Sequence, residues 1–279
     1  MIVLEPKGMI AAAEKHILII SVLLMLIVVI PVIVMSWVFA WRYRETNTKA
    51  EYAPEWAHST ILELIWWSIP CAIIFVLSWI TWVSSHELDP YKPIAAQNKP
   101  LIIQAIALEW KWLFIYPEQN IATLNYLQFP VDMPIKLIIT AEGPMNSLLI
   151  PQLAGQIYAM AGMTTQLHII ADEVGDYQGI SANYSGEGFS EMKFIARASS
   201  AQEFKQWVQK IKQEPQRLNV AMYNKLLKPS TAEQVQYFSS ANSTIFDTIV
   251  MKSMMPIELK EVASNKSTMK QINQEAHHA

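Results

Sequence analysis

Ile17–Trp41, ILIISVLLMLIVVIPVIVMSWVFAW, contains no charged residue. At a rise of about 1.5 Å per residue, such a stretch crosses a hydrocarbon core of roughly 30 Å. Pro31 lies inside it, which a membrane helix tolerates because neighbouring groups can satisfy the freed carbonyl. A second apolar run, Ile61–Val83, reads ILELIWWSIPCAIIFVLSWITWV, with Glu63 as its one acid. Trp66, Trp67, Trp79 and Trp82 lie near its ends, where amphipathic rings favour the membrane interface. A short polar connection, residues 42–60, joins the two. The pattern predicts an N-terminal segment at 1–16, then a transmembrane helical hairpin over 17–83 with spans at 17–41 and 61–83.

Composition agrees with a membrane anchor joined to a water-exposed part. Hydrophobic residues make up 52% of the chain, charged ones only 16%, and there are 10 tryptophans. A net charge of −3 and the lack of any basic run give no sign of a nucleic-acid partner, and none is expected. The single cysteine, Cys71, sits inside the second apolar run, so no disulfide can form within the chain. Arg42 and Arg44 follow the first run directly, with Lys49 nearby, against Lys7 and Lys15 before it. This bias places the connection in the cytoplasm and both flanking segments on the other side. Polar residues through positions 1–16 give no cleavable signal-peptide pattern.

From Glu87 the pattern changes. Pro90, Pro93 and Pro100 mark an extended linker over 84–100. Short β-type runs follow at Leu101–Ile115, Ile121–Phe129, Ile135–Thr140, Ser147–Ile150, Gln156–Met160, Thr164–Ala171 and Glu191–Ala198. Pro, Gly, Asn and Asp separate them, as in a β-sandwich, here over 101–199. Met192, Phe194 and Ala196 alternate with Lys193, Ile195 and Arg197, the period of a half-buried strand. A helical extension is expected over 200–256. It opens on a capping-box pattern at Ser200 and Glu203 and continues with Phe204, Trp207, Val208 and Ile211 at helical spacing. Further helix is expected over Ala221–Lys228 and Thr244–Met254, and a polar mobile tail over 257–279.

Few residues carry recognisable chemistry. A carboxylate within a membrane span costs free energy unless it meets water or a partner, so Glu63 is a functional candidate. In Glu109–Pro117, EWKWLFIYP, Trp110 and Trp112 are expected on one strand face with Lys111 opposite. The histidines His16, His58, His86, His168, His277 and His278 are scattered, with none of the short ligand spacings of a zinc site. His168 is expected at a surface strand position, and His277 and His278 in the mobile end. No serine has a nucleophile-elbow context, and no glycine-rich phosphate loop is present.

Several stretches together resemble subunit II of the haem–copper respiratory oxidases, in particular its cytochrome bo-type ubiquinol-oxidase branch. They are LEPKG at 4–8, WKWLFIYPEQNIATLN at 110–125, MNSLLIPQLAGQIYAMAGM at 145–163, GISANYSGEGFSEMKF at 179–194 and QVQYFSSANSTIFDTIV at 234–250. In copper-bearing members the loop corresponding to Ser181–Met192, SANYSGEGFSEM, follows C-x-E-x-C-x3-H-x2-M, with a further His upstream. Here the two Cys positions fall on Ser181 and Ser185, Glu on Asn183, the two His on Asn146 and Phe189, and Met on Met192. Hydroxyl, amide and benzyl groups do not replace thiolate and imidazole, so the loop is expected to bind no metal.

The resemblance implies a membrane-anchored mixed α and β chain: a two-helix hairpin, a cupredoxin-like β-sandwich without copper, and a C-terminal helical extension. It implies a non-redox subunit of a proton-pumping enzyme of a bacterial inner membrane, with the large C-terminal domain in the periplasm. That enzyme would oxidise ubiquinol and reduce O2 to water. Haems, the remaining copper and the quinol site would belong to subunit I, leaving no cofactor in this chain. Partners would be subunit I, the smaller subunits III and IV and membrane lipids, with no cytochrome c. Glu63 would lie near the mouth of a proton-uptake channel. Trp110, Trp112 and Tyr116, which in copper-bearing relatives lie on the electron path, would be structural here. Quinol-oxidase relatives commonly start with a lipid-modified Cys, which this sequence lacks. The other readings are a cytochrome c oxidase subunit, which would need the copper ligands, a membrane-anchored scaffold or binding module, and a menaquinol oxidase subunit.

Overall fold

The computed structural model describes residues 2–50, 55, 57–95 and 98–254. The expected tail at 257–279, with His277 and His278, lies outside them. The chain divides into two compact units, one of residues 13–89 and one of residues 1–12 with 90–279.

The first unit is built on α1 (Met9–Arg42), most of which it contains, and α2 (Thr60–Glu87). Among the described residues these are the two helices long and apolar enough to cross a membrane, and no residue of either apolar window is buried. Leu23, Ile30, Phe39, Ile61, Leu64 and Phe75 are all exposed. Helices that are apolar all round and unburied within the chain fit a membrane anchor. α1 continues unbroken through Pro31, and it starts at Met9, eight residues ahead of the apolar run. Ala13, His16 and Ile17 of α1 line one cavity of about 360 Å³ with Trp79, Ile80 and Val83 of α2. The beginning of one helix therefore lies beside the end of the other, as in an antiparallel hairpin.

The second unit is a two-sheet sandwich. Its strands are β1 (Leu101–Leu108), β2 (Lys111–Tyr116), β3 (Ile121–Leu124), β4 (Tyr126–Pro130), β5 (Ile135–Ala141) and β6 (Asn146–Ile150). They continue with β7 (Ala154–Ala159), β8 (Thr165–Ile169), β9 (Gly175–Ser181), β10 (Lys193–Ser199) and β11 (Gln236–Phe238). One sheet has the order β11-β3-β2-β1-β5-β8, the other β4-β10-β9-β6-β7. The pairs β1–β5 and β4–β10 are parallel and the others antiparallel. Between the sheets lie Ile103, Trp112, Phe114, Tyr116, Leu127, Phe129, Leu137, Leu148, Met192 and Phe194.

The six-stranded sheet is buried on both faces. α4 (Val220–Leu226) and α5 (Ile245–Met254) cover its outer side. Leu218, Tyr223, Leu226, Phe238, Ile245, Phe246 and Ile249 pack there on Ile106, Leu108, Leu113, Ile115, Ala122 and Leu124. Every residue of β2 and β3 is consequently buried, which explains their continuous apolar runs. In the five-stranded sheet β10 alternates: Phe194, Ala196 and Ala198 are buried, while Lys193 and Ile195 are exposed.

Several expectations are corrected. The run Leu101–Ile115 is two strands, broken where Trp110 adopts φ 61°. The run Ile121–Phe129 is also two, broken at Asn125 with φ 56°, and there the chain changes sheets. A left-handed residue ends pairing on one sheet, and Asn tolerates it better than most. The side chain of Asn125 holds that corner, its Oδ1 accepting from Trp112 N–H (2.8 Å) and its Nδ2 donating to Glu233 O (2.9 Å). β9 was not foreseen, because its sequence GDYQGIS is mostly small and polar. The extension is not wholly helical, since β11 adds an edge strand to the six-stranded sheet. Trp110 and Trp112 do not share a strand face, because Trp110 sits in the left-handed corner before β2. Lys111 is buried, and so is His168, whose Nδ1 lies 2.9 Å from Pro90 O.

α3 (Ala201–Ile211) opens on the expected capping box. Glu203 N–H donates to Ser200 Oγ (3.2 Å), and Glu203 Oε2 accepts from Ser200 N–H (3.0 Å). That backbone bond, helped by the Ser200 hydroxyl, holds the Glu203 carboxyl below its ordinary range. Because the folded-state value is depressed, the stabilisation is present above the unfolded value near 4.5 and is lost as pH falls through the folded value. The melting-temperature difference between the wild type and Glu203→Gln should therefore shrink on acidification below pH 4.5. A difference independent of pH would contradict this assignment.

Candidate functional site

β6, β9 and β10 bring the expected loop positions together at one end of the sandwich. Ser181 is the last residue of β9 and Asn146 the first of β6, and Ser181 Oγ donates to Asn146 Oδ1 at 2.9 Å, out of solvent. Ser181 N–H donates to Met192 O (3.1 Å), closing the loop across its base. Asn183 Nδ2 donates to Met145 O (2.9 Å). Phe189 opens a single 3₁₀ turn, Phe189–Glu191, and its ring packs edge-on against Tyr184 with centroids 5.7 Å apart. Met192 is fully buried in the core between the sheets.

An indole fills the space above this loop. Trp110 Nε1 donates to Ser185 O at 3.1 Å. Its ring lies so close over Gly188 that a Cβ there would stand 2.4 Å from Trp110 Cδ2. Gly186, at φ 109°, also faces that ring at van der Waals distance. The two glycines are thus explained by close approach and by a left-handed turn. The left-handed conformation of Trp110 itself turns its ring onto the loop.

The donors here do not fit a dinuclear copper centre. Asn146 and Asn183 offer amides, Ser181 and Ser185 hydroxyls, and Phe189 a ring without a lone pair. The Asn146 amide already accepts from Ser181, leaving the buried Met192 thioether as the one soft donor at these positions. A dinuclear copper centre of that kind is held by thiolate and imidazole donors. Among the described residues no three His, Cys, Asp or Glu side chains converge as a metal site.

The aromatic stretch is core. Trp112 and Tyr116 are fully buried, and Trp112 packs between Phe114 (6.5 Å) and Phe194 (6.0 Å). Tyr116 donates to Gln128 O (3.0 Å) and accepts from Gln128 N–H (2.9 Å). Burial pushes its phenol far above the ordinary value. Just before Trp112, Lys111 lies buried under the extension, where Nζ donates to Lys228 O (2.9 Å) and to Ser230 Oγ. Desolvation pulls its amine below the ordinary value, and Glu233 and Glu109 partly oppose that. Sequence reasoning missed this fastener. Its signal was a lysine at the head of the apolar run Trp112–Tyr116.

Glu63 lies elsewhere, in the first turn of α2, where its N–H donates to Ser59 O (2.9 Å). A carboxylate there is favoured by the positive end of the helix dipole. It is half-buried and belongs to the other unit from the loop cluster.

Comparison with known proteins agrees with this architecture. Residues 119–199 match the family model of the cytochrome c oxidase subunit II periplasmic domain, and residues 212–256 match the COX aromatic rich motif. The chain is 53% identical over 252 residues to cytochrome bo(3) ubiquinol oxidase subunit 2 of Pseudomonas aeruginosa, covering 90% of this chain and 76% of that one. It is 51% identical over 252 residues to ubiquinol oxidase subunit 2 of Acetobacter aceti, covering 90% and 82%. With quinol oxidase subunit 2 of Bacillus subtilis it shares 37% identity over 240 residues, covering 85% and 75%. The sandwich is therefore the cupredoxin-like domain of that lineage, carried on two apolar helices, and the chain belongs to the subunit 2 family of the ubiquinol oxidases.

Proposed function

We propose that this chain serves as the non-redox subunit of a respiratory complex that oxidises ubiquinol, reduces O2 to water and pumps protons. The observation that carries this reading is the pairing of ubiquinol-oxidase relatives with a copper-loop cluster whose donors are amide, hydroxyl and thioether. Quinol is lipid-soluble and delivers electrons within the membrane, so a water-exposed copper relay is unnecessary. Haems, copper and the quinol site then reside in subunit I, with subunits III and IV and lipid as further partners and no role for cytochrome c. The high identity to relatives named for ubiquinol favours ubiquinol as the electron donor. Turnover of the purified complex with ubiquinol against reduced cytochrome c tests the reading.

The complex would lie in a bacterial inner membrane. Arg42 and Arg44 at the end of α1 favour a cytoplasmic connection at 42–60, and hence a periplasmic sandwich. The N-terminal segment supports the same side for both ends. Lys7 N–H donates to Gln152 O (2.8 Å), and Asp172 N–H donates to Lys7 O (2.9 Å). A segment stitched to the sandwich shares its compartment.

Glu63 would then stand at the cytoplasmic end of α2, gathering protons for subunit I. Glu63→Gln in the assembled complex should slow proton-coupled turnover several-fold while haem content stays unchanged. Unchanged turnover would remove Glu63 from the proton path.

A further inference from the structure

The end of the sandwich that carries the loop cluster also presents methionines that the proposed function does not use. Asn146 and Ala159 are paired across β6 and β7 and both point inward, 1% and 0% exposed. Met145 and Met160 are the next residues beyond that last pair, just outside both strands. Met145 is 43% exposed and Met160 half-buried.

A third methionine is held beside them. Met160–Met163, MAGM, is a tight turn in which Met163 N–H donates to Met160 O (3.3 Å) and Gly162 adopts φ 76°. The ends of such a turn lie within about 7 Å. Met163 is 53% exposed. The backbone under all three residues is fixed. Thr140 Oγ1 donates to Met163 O (2.8 Å) and Met160 O (3.3 Å), and Asn183 Nδ2 holds Met145 O (2.9 Å). Gly162 is seated on Ser253 at the end of α5, where a Cβ would stand 3.2 Å from Ser253 C. Each thioether sits on three rotatable bonds, so the sulfurs can converge on one point above this rigid base.

Thioether sulfur is uncharged, polarisable and soft. It selects Cu(I) over hard divalent cations, which prefer carboxylate, carbonyl and water. We propose that Met145, Met160 and Met163 form a three-thioether site for a soft monovalent cation, Cu(I). The site is separate from the degenerate loop positions, whose Met192 is buried in the core between the sheets. Its charge balance needs no redox step. The cation binds and leaves as Cu(I).

The test uses the full chain in detergent, in a Cys71→Ser, His277→Ala, His278→Ala background that removes other donors for soft metals. Cu(I) under anaerobic reducing conditions is titrated against a chromophoric Cu(I) chelator, and Ag(I) is titrated in parallel. One ion should bind per chain, with a sulfur-only first shell by X-ray absorption and no competition from Zn(II). Met160→Leu should weaken binding at least tenfold, and the Met145→Leu, Met160→Leu, Met163→Leu variant should not bind. Leu for Met conserves volume, so an unchanged melting temperature shows the fold is kept. No binding by the parent chain would overturn the proposal. So would equal binding by the triple variant, which retains Met251 and Met254, or a first shell of nitrogen and oxygen. Loss of assembly with subunit I without any metal binding would make the patch a protein interface, and would also overturn it.

Discussion

Gly179→Val should destabilise the sandwich by about 3 kcal/mol, at the upper end of what overpacking a well-filled core costs. Gly179 in β9 is paired with Phe194 in β10, and the phenyl ring lies directly over its Cα. A Cβ at 179 would stand 2.1 Å from Phe194 Cζ and 2.3 Å from Cε2. The ring has nowhere to retreat, because Phe114 (5.1 Å) and Trp112 (6.0 Å) already pack against it. An aromatic ring covering a strand glycine is a known device for pinning register. Urea unfolding of the full chain in detergent, followed by tryptophan fluorescence, measures the effect. Phe194→Ala opens a cavity and should be destabilising alone. Combined with Gly179→Val it should cost less than the two single losses added together, since the new methyls enter the vacated space. Strict additivity would show that the ring and Gly179 are not in contact.

Gly8→Val should detach the N-terminal segment from the sandwich. A Cβ on Gly8 would stand 2.4 Å from Ile170 O and 3.2 Å from Leu153 O, both backbone atoms that cannot swing aside. What would be lost is a run of hydrogen bonds: Lys7 N–H to Gln152 O, Asp172 N–H to Lys7 O, and Ala11 N–H to Leu153 O (3.3 Å). Each is worth about 1 kcal/mol net, so together they hold the segment by about 2–3 kcal/mol. The Lys7–Glu173 ion pair (2.6 Å) is largely exposed and adds little. Hydrogen exchange reads the change directly. The Asp172 amide should exchange at least tenfold faster in Gly8→Val, while amides in β1 and β5 stay protected. Unchanged protection at Asp172 would mean that the segment re-seats around the new side chain.

Much of the fold was legible because it rests on hydrophobic period. The two apolar runs are long and apolar enough to cross a membrane, and the alternation around Phe194 marks a half-buried strand. The capping box at Ser200 and Glu203 was legible for a similar reason, since its partners are three residues apart. What escaped was set by long-range packing. β2 and β3 read as continuous apolar runs because α4, α5 and β11 bury their second face, and nothing local in β2 says which distant segment will do so. The corners at Trp110 and Asn125 depend on left-handed conformations that Asn signals weakly and Trp not at all. His168 reads as a surface residue until the linker carbonyl of Pro90 is brought over it. At the loop, the missing copper donors were plain from residue type alone. That Trp110 fills the space above the loop, resting on Gly186 and Gly188, was not, because those contacts cross 75 residues of chain.

The central claim is that electrons reach this oxidase through the lipid and bypass this chain. Oxygen consumption by the purified complex, driven in turn by ubiquinol and by reduced cytochrome c, measures it most directly, with dinuclear copper followed by electron paramagnetic resonance in the same sample. Turnover should be rapid with ubiquinol and at background with cytochrome c, and the dinuclear copper signal should be absent. Turnover driven by cytochrome c, or a dinuclear copper signal assigned to the Ser181–Met192 loop, would contradict the account.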